Sequence, residues 1–203
     1  MRYFIIAMEC EAACVRPYLK GDDRLVVCGI GKVNAAAATA TAIAGGATEI
    51  WNVGVCGGFG DVEVGDIYGV ESACEYDFDL AKINGVAVGV LDGFDTPYIS
   101  MAKPAALVGD AAFPWFKGWR ILATGDRFND SDADNDLIVN GLGASLRDME
   151  GAAIAHVCKN AWVKCSSIKC VTDVAGRGSM TGQYMDNRAR CVEKLAAAMG
   201  DLL

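Results

Sequence analysis

Histidine is almost absent from this sequence: His156 is the only one. There is no Cys-x-x-Cys pair either, although the chain holds nine cysteines. Zinc sites need Cys and His ligands at clip-like spacing. Neither Cys10/Cys14 nor Cys165/Cys170 has a matching His cluster, so no metal site and no cofactor is expected. Cys28, Cys56 and Cys158 sit inside apolar runs and read as small buried hydrophobes kept reduced in cytosol. No stretch approaches the roughly 20 apolar residues of a membrane span. The longest small-apolar segment, residues 33–46, is rich in Ala and Thr and suits a buried helix. The opening apolar run is too short for a signal peptide, and Glu9 and Glu11 follow it at once. Positive charge is in deficit, with 18 Lys and Arg against 26 Asp and Glu, for a net charge of −8. That balance argues against nucleic acid or an anionic membrane as the main partner. The expectation is a cytoplasmic protein acting on a small molecule.

Hydrophobic residues make up 53% of the 203 positions and charged residues 22%, which points to a folded chain with one good core. One domain over residues 1–203 is expected. Short apolar runs alternate with helical patterns. Strands are read at 3–7, 24–28, 49–55, 66–71, 86–91, 120–124, 145–148 and 166–172. Helices are read at 10–19, 34–44, 102–111, 132–140, 151–160 and 185–199, the last from Val192, Leu195, Ala196 and Met199 recurring on one face. This alternation predicts an α/β fold with a largely parallel buried sheet. In such sheets a ligand lies beyond the carboxyl ends of the strands. Glycines and carboxylates gather there: Glu9 and Glu11 after the first strand, Gly29 and Gly31 after the second, Gly54 to Gly58 after the third, then Gly125/Asp126, Met149/Glu150 and Asp173.

Taken singly, these motifs have ordinary readings. Gly29-Ile30-Gly31-Lys32 can bring backbone N–H groups to an anion at a helix start, or can simply be a tight turn; it lacks the full dinucleotide pattern. Gly54-Val55-Cys56-Gly57-Gly58 lets backbone approach a ligand, or is a crowded turn. Glu150, between a strand and an Ala-rich helix, can accept two hydroxyl hydrogen bonds from a ribose diol, or can serve the helix dipole. Asp173, closing an apolar strand, can be a general acid whose pKa desolvation raises, or a cap. His156 is read as a packing or surface residue, not a ligand.

Their order along the chain is more specific. Ala7-Met8-Glu9-Cys10-Glu11, Gly29-Ile30-Gly31-Lys32-Val33-Asn34-Ala35-Ala36, Asn52-Val53-Gly54-Val55-Cys56-Gly57-Gly58, Val64-Gly65-Asp66-Ile67, Thr124-Gly125-Asp126-Arg127-Phe128, Asp148-Met149-Glu150-Gly151-Ala152-Ala153-Ile154-Ala155 and Thr172-Asp173-Val174-Ala175 follow one another over nearly the whole chain. In this the sequence resembles the purine nucleoside phosphorylase superfamily, and within it the 5′-methylthioadenosine/S-adenosylhomocysteine nucleosidases. The resemblance implies a three-layer αβα sandwich around a mixed, largely parallel sheet, a homodimer, a purine nucleoside substrate and a place in methionine salvage. It implies Glu11 as the carboxylate that activates water and Asp173 as the acid at purine N7. It puts Met149 and Glu150 at the ribose, Phe128 against the base, and Lys169 where the nucleosidases tend to have an Arg near the water. Met8, Val55 and Gly57 fall in its substrate-binding segments. Val55 stands where a hydroxyl residue is frequent, and the stretch between Leu19 and Gly29 is shorter than the family's usual hairpin. Two other readings of the same scaffold are a phosphate-dependent phosphorylase, with Arg16 and Lys32 as the nearest phosphate candidates, and a non-catalytic nucleoside binder.

Overall fold

The structure, a computed structural model, describes residues 1–109, 113–128 and 131–203. Its elements run β1 (Arg2–Ile6), α1 (Glu9–Ala12), β2 (Arg24–Val27), α2 (Lys32–Ala44), β3 (Glu49–Gly58), β4 (Ile67–Glu75), α3 (Ala81–Asn84), β5 (Ile99–Ser100), β6 (Phe116–Thr124), α4 (Asp132–Asp136), β7 (Leu146–Asp148), α5 (Gly151–Asn160), β8 (Lys164–Val174) and α6 (Met180–Leu202). The α/β alternation is as expected, with parallel pairs joining β2 to β1, β1 to β3, β3 to β8, β4 to β6 and β6 to β7.

Successive residues of the buried strands point to opposite faces, and two cores result. Ile5 and Ile50 pack with Ala35, Ala42, Ile154 and Ala155, the inward residues of α2 and α5. Phe4, Ile6, Trp51 and Val53 pack with Ala12, Cys191, Leu195 and Met199 from α1 and α6. Helices therefore cover both faces around β1 and β3. Burial on both faces explains why these strands read as continuous apolar runs.

The flat middle layer of a sandwich is not what forms. β8 pairs parallel with β3 and antiparallel with β4, while the three-residue β7 pairs parallel with β6 and antiparallel with β3. The pairs β3–β8–β4–β6–β7–β3 make a closed, barrel-like ring, with β2 and β1 hanging from β3 as an open extension. The cause is the eleven-residue length of β8, which reaches two neighbours, and the Gly57/Gly58 end of β3, which runs on past residue 55 to meet Arg147 and Leu146.

Other expectations shift for local reasons. The helix read at 10–19 is one turn of α1 followed by a 3₁₀ turn, Arg16–Tyr18, because Pro17 cannot continue an α-helix. Residues 86–91 are not a strand; the chain turns there, with Gly89 and Gly93 at φ +82° and +80°. The helix read at 102–111 is only a 3₁₀ turn, Ala105–Leu107, after Pro104, and its expected end at Asp110 and Ala111 lies outside the described residues. The 132–140 helix is capped by Ser131, whose hydroxyl accepts the Asp134 N–H, but changes to a π turn at Leu137–Gly141. The last helix begins five residues early, capped by Ser179, whose hydroxyl accepts from the Gly182 N–H. Among the described residues, no helix is long and apolar enough to cross a membrane.

Candidate active site

Glu11 follows β1 in the single turn of α1 and is buried. Its Oε1 accepts the Val55 N–H at 2.8 Å and its Oε2 accepts the Met8 N–H at 3.2 Å. Burial raises its pKa above the usual carboxylate value; the Lys169 ammonium and the two backbone donors pull it back only in part. The carboxylate fits because residue 54 is glycine. A Cβ there would lie 2.6 Å from Oε1. The departure at Val55 affects a side chain, whereas its backbone N–H is what holds Glu11.

Behind Glu11 lies a fully buried ion pair. Lys169, from the middle of β8, places Nζ 2.7 Å from Asp148 Oδ2. Asp148, closing β7, also accepts the Thr124 hydroxyl at 2.6 Å and the Gly151 N–H at 2.9 Å. Burial alone would discharge Lys169, but the surrounding carboxylates of Asp148, Glu150 and Glu11 outweigh it and raise its pKa. The pair is a charge centre set back from the ligand space: Asp148 lines the cavity, and Lys169 does not.

Glu150 stands at the start of α5. Its Oε1 accepts the Gly31 N–H at 2.9 Å, so the Gly-x-Gly turn before α2 serves an internal carboxylate and not a free anion. Burial, then the nearby Asp148 charge, push its pKa up to about 7.

Asp173 is aimed by an irregularity in the β3–β8 ladder. Cys56 pairs with Val171 but Gly57 pairs with Asp173, so Thr172 is an extra residue, a bulge of the kind that re-aims a side chain. A Cβ on Gly57 would stand 2.9 Å from Asp173 Oδ2. The Thr172 hydroxyl lies 2.6 Å from Asp173 Oδ1 and 3.1 Å from the Cys56 carbonyl. One hydroxyl proton serves only one acceptor at a time. It is therefore shared between the Asp173 carboxyl and the Cys56 carbonyl, and it holds Asp173 Oδ1 in place.

These groups open on one cavity of about 320 Å³, whose walls otherwise are largely apolar. It brings together Met8, Glu11, Val55, Gly57, Phe128, Met149, Glu150 and Asp173, eight of the nine residues singled out from the sequence; Lys169 is the ninth. Phe128 is 46% exposed at the mouth and meets Tyr184 edge-on, with ring centroids 5.3 Å apart. Asn129 and Asp130, which follow it, lie outside the described residues. Sequence reasoning missed Ile30, Arg147, Thr181, Tyr184 and Met185 in the lining. Thr181, Tyr184 and Met185 share a helical face and would have been found had the helix been started at Ser179. Arg147 gave no signal of its own; its guanidinium lies over Phe59 at 5.6 Å. Arg16 and Lys32 are both away from the cavity lining, Arg16 paired with Glu9 and Lys32 with Glu75 and Asp77. Among the described residues, no group of three His, Cys, Asp or Glu side chains is placed to hold a metal ion.

The chain is similar to known proteins in both sequence and fold. The sequence profile of the phosphorylase superfamily matches residues 15–203. The 5′-methylthioadenosine/S-adenosylhomocysteine nucleosidase of Hydrogenovibrio crunogenus is 32% identical over 192 residues, covering 88% of this chain and 80% of that protein. A crystal structure assigned as such a nucleosidase from Borrelia burgdorferi, bound to adenine, superposes with a TM-score of 0.86 at 23% identity, covering 100% of this chain and 98% of that one. The Colwellia psychrerythraea nucleosidase, in complex with adenine, gives 0.81 at 26% identity, covering 100% and 96%.

Proposed function

The chain belongs to the phosphorylase superfamily and, within it, to the 5′-methylthioadenosine/S-adenosylhomocysteine nucleosidases, and on that basis we propose that it hydrolyses the N-glycosidic bond of a 5′-thio-substituted purine nucleoside to free base and a ribose derivative. The observation that carries this reading is the meeting of Glu11, Glu150 and Asp173, from three separate strand ends, in one small apolar cavity.

The chemistry assigns each a task. Cleavage runs through an oxocarbenium-like ribosyl cation, and the purine leaves once N7 is protonated. Asp173, its Oδ1 held by the Thr172 hydroxyl, is assigned that hydrogen bond or proton. Glu11, its basicity raised by burial, takes a proton from the attacking water; each such acid or base step contributes about 10²–10⁴-fold. Glu150, with one oxygen fixed by Gly31, offers the other to the ribose diol. Met149 lies beside it at the sugar. Phe128 and Tyr184 flank the base, and Met8, Val55 and Gly57 complete the wall. Lys169 acts from behind, holding Asp148 and lending positive charge to Glu11 and Glu150. The developing cation is favoured by this carboxylate-rich surround.

Water suits the site better than phosphate, because Arg16 and Lys32 are occupied in ion pairs away from the lining, and Arg147, the basic side chain that does line it, has its guanidinium over the Phe59 ring. The family resemblance extends the proposal to a single cytoplasmic domain, a homodimer, and a role in methionine salvage. Val33, 79% exposed on α2, is an apolar side chain that a second copy would cover; sedimentation equilibrium checks the stoichiometry. The deciding assay is base release from 5′-methylthioadenosine, S-adenosylhomocysteine and unsubstituted purine nucleosides, with and without phosphate. Free sugar at a phosphate-independent rate is expected. A sugar 1-phosphate would make the enzyme a phosphorylase, and adenine binding without turnover of any nucleoside would make it a binder.

A further inference from the structure

A polar ring outside the cavity joins the two turns that serve it. Asp126 Oδ1 accepts the Lys32 N–H at 2.8 Å. The Asp126 N–H donates to Asp77 Oδ2 at 3.0 Å. Asp77 Oδ1 in turn accepts from Lys32 Nζ at 2.6 Å, which closes the circuit on the residue where it began. Lys32 Nζ also donates to Glu75 Oε2 at 3.0 Å, and Glu75 Oε1 lies 3.1 Å from His156 Nδ1. The side chains of Lys32, Asp77 and Glu75 are 19%, 16% and 10% exposed, so the ion pairs are largely shielded from water. Burial pulls the Lys32 pKa down; the Asp77 and Glu75 carboxylates outweigh it and raise it.

Each turn carries part of the ligand site. The 29–32 turn presents the Gly31 N–H to Glu150 and sets Ile30 in the lining. The 124–128 turn carries Thr124, which donates to Asp148, and ends at Phe128. Gly31 is at φ +101°, and a Cβ there would lie 3.1 Å from Asp126 Oδ1, so the turns are in close contact and their spacing is fixed at this point. α2 itself packs on α5 and β1; the ring is what fastens its first turn to the ends of β4 and β6.

We propose that Lys32, Asp77 and Asp126 are positioning residues, a clasp that fixes the ribose carboxylate's backbone donor and the base-stacking aromatic at one mutual distance. This rests on the roles assigned above to Glu150 and Phe128. Without the ammonium, Asp77 and Glu75 would repel one another, Asp77 would withdraw from the Asp126 N–H, and both turns would loosen together. A misplacement of about 1 Å can cost about 10²-fold where it reaches the reacting atoms; here it falls on the ribose and base contacts, so the loss is read mainly in binding.

The test compares Lys32→Met, Lys32→Arg, Asp126→Ala and the double variant Lys32→Met/Glu75→Gln with the parent. Steady-state kinetics on 5′-methylthioadenosine, affinity for adenine, and amide hydrogen exchange over the 29–32 and 124–128 turns are read for each. Lys32→Met is expected to raise KM about tenfold, weaken adenine, leave kcat within a few-fold of the parent, and speed exchange in both turns. Lys32→Arg should restore all of these to near parental values. The double variant relieves the repulsion, so Asp77 should return toward the Asp126 N–H, and thermal stability, KM and exchange should all recover in part. Should Lys32→Met not fold, Asp126→Ala, which removes the acceptor of the Lys32 N–H, carries the same kinetic and exchange expectations. Parental KM and adenine affinity with unchanged exchange in a folded Lys32→Met or Asp126→Ala protein would overturn the clasp. A parent that turns over no nucleoside would instead overturn the proposed function, and exchange and adenine affinity would still decide the clasp.

Discussion

Gly54 and Gly57 show how much the site depends on atoms that are not there. Each occupies a strand position where a methyl group would collide with a carboxylate, Glu11 in one case and Asp173 in the other. Gly54→Ala should therefore push Glu11 off its two backbone donors while sparing the base pocket. The expected result is base release lowered by about 10²-fold with adenine affinity nearly unchanged, measured by calorimetry. Glu11→Gln and Asp173→Asn should each remove about 10²–10⁴-fold of kcat; parental activity in either variant would refute the roles assigned to them. At this scale much was legible in the sequence. Glu11, Glu150 and Asp173 sit at strand ends, and ordered motifs made those positions meaningful. What could not be read was the partner of each group. That Lys169 would face Asp148 and stand behind the cavity depends on a long-range pairing of β8 with β3. That Gly31 would serve Glu150 depends on a contact across 119 residues.

At the scale of the element, α6 is the clearest case. Its first turn contributes Thr181, Tyr184 and Met185 to the lining, and the Ser179 hydroxyl caps that turn. Ser179→Ala should cost about 1 kcal/mol, seen as a lowered midpoint of chemical unfolding, and should raise KM through the same loosened turn. Reading the start of α6 at Met185 came from following only its buried apolar face. Met180 to Tyr184 include one fully buried apolar residue, so a periodicity test passes over them while a cap test does not. The opposite error occurred at residues 102–111, where an Ala-rich composition suggested a helix but Pro104 and the tertiary setting leave only a 3₁₀ turn. The glycine run of residues 54–58 was readable as a turn because composition alone cannot tell a turn from a strand that needs clearance.

For the whole molecule, the buried charges link stability to pH. Glu11 and Glu150 both have folded-state pKa values above the ordinary carboxylate range, Glu150 at about 7. The folded protein then binds these protons more tightly than the unfolded chain does, so the two groups favour folding most below about pH 4.5. The Glu150 contribution is lost as pH rises from there to about 7, and the Glu11 contribution falls in the same direction. Urea unfolding of the ligand-free protein across this window should show that decline against the background of the other groups, and Glu150→Gln should flatten it. Lys169→Met goes further, because it leaves Asp148 ionised and uncompensated in the core; a loss of about 3–5 kcal/mol is expected, measured by the same titration. The α/β class and the parallel core strands were visible as alternating buried runs. The closure of the ring was not, since a three-residue strand such as β7 leaves almost no pattern.

That closure divides the labour of the site. Asp173, Glu150 and the 124–128 turn are carried on or beside the five ring strands, a girdle with no free edge between them. Glu11 and the 29–32 turn belong to the β2–β1 extension, attached to the girdle along β3. On the roles proposed above, the group at the base and the ribose carboxylate ride on the ring, and the water-activating carboxylate rides on the extension, which also lends the ribose carboxylate its Gly31 donor. Exchanging the extension between relatives should therefore alter the nucleophile first, and disturb the hold on the ribose only through Gly31.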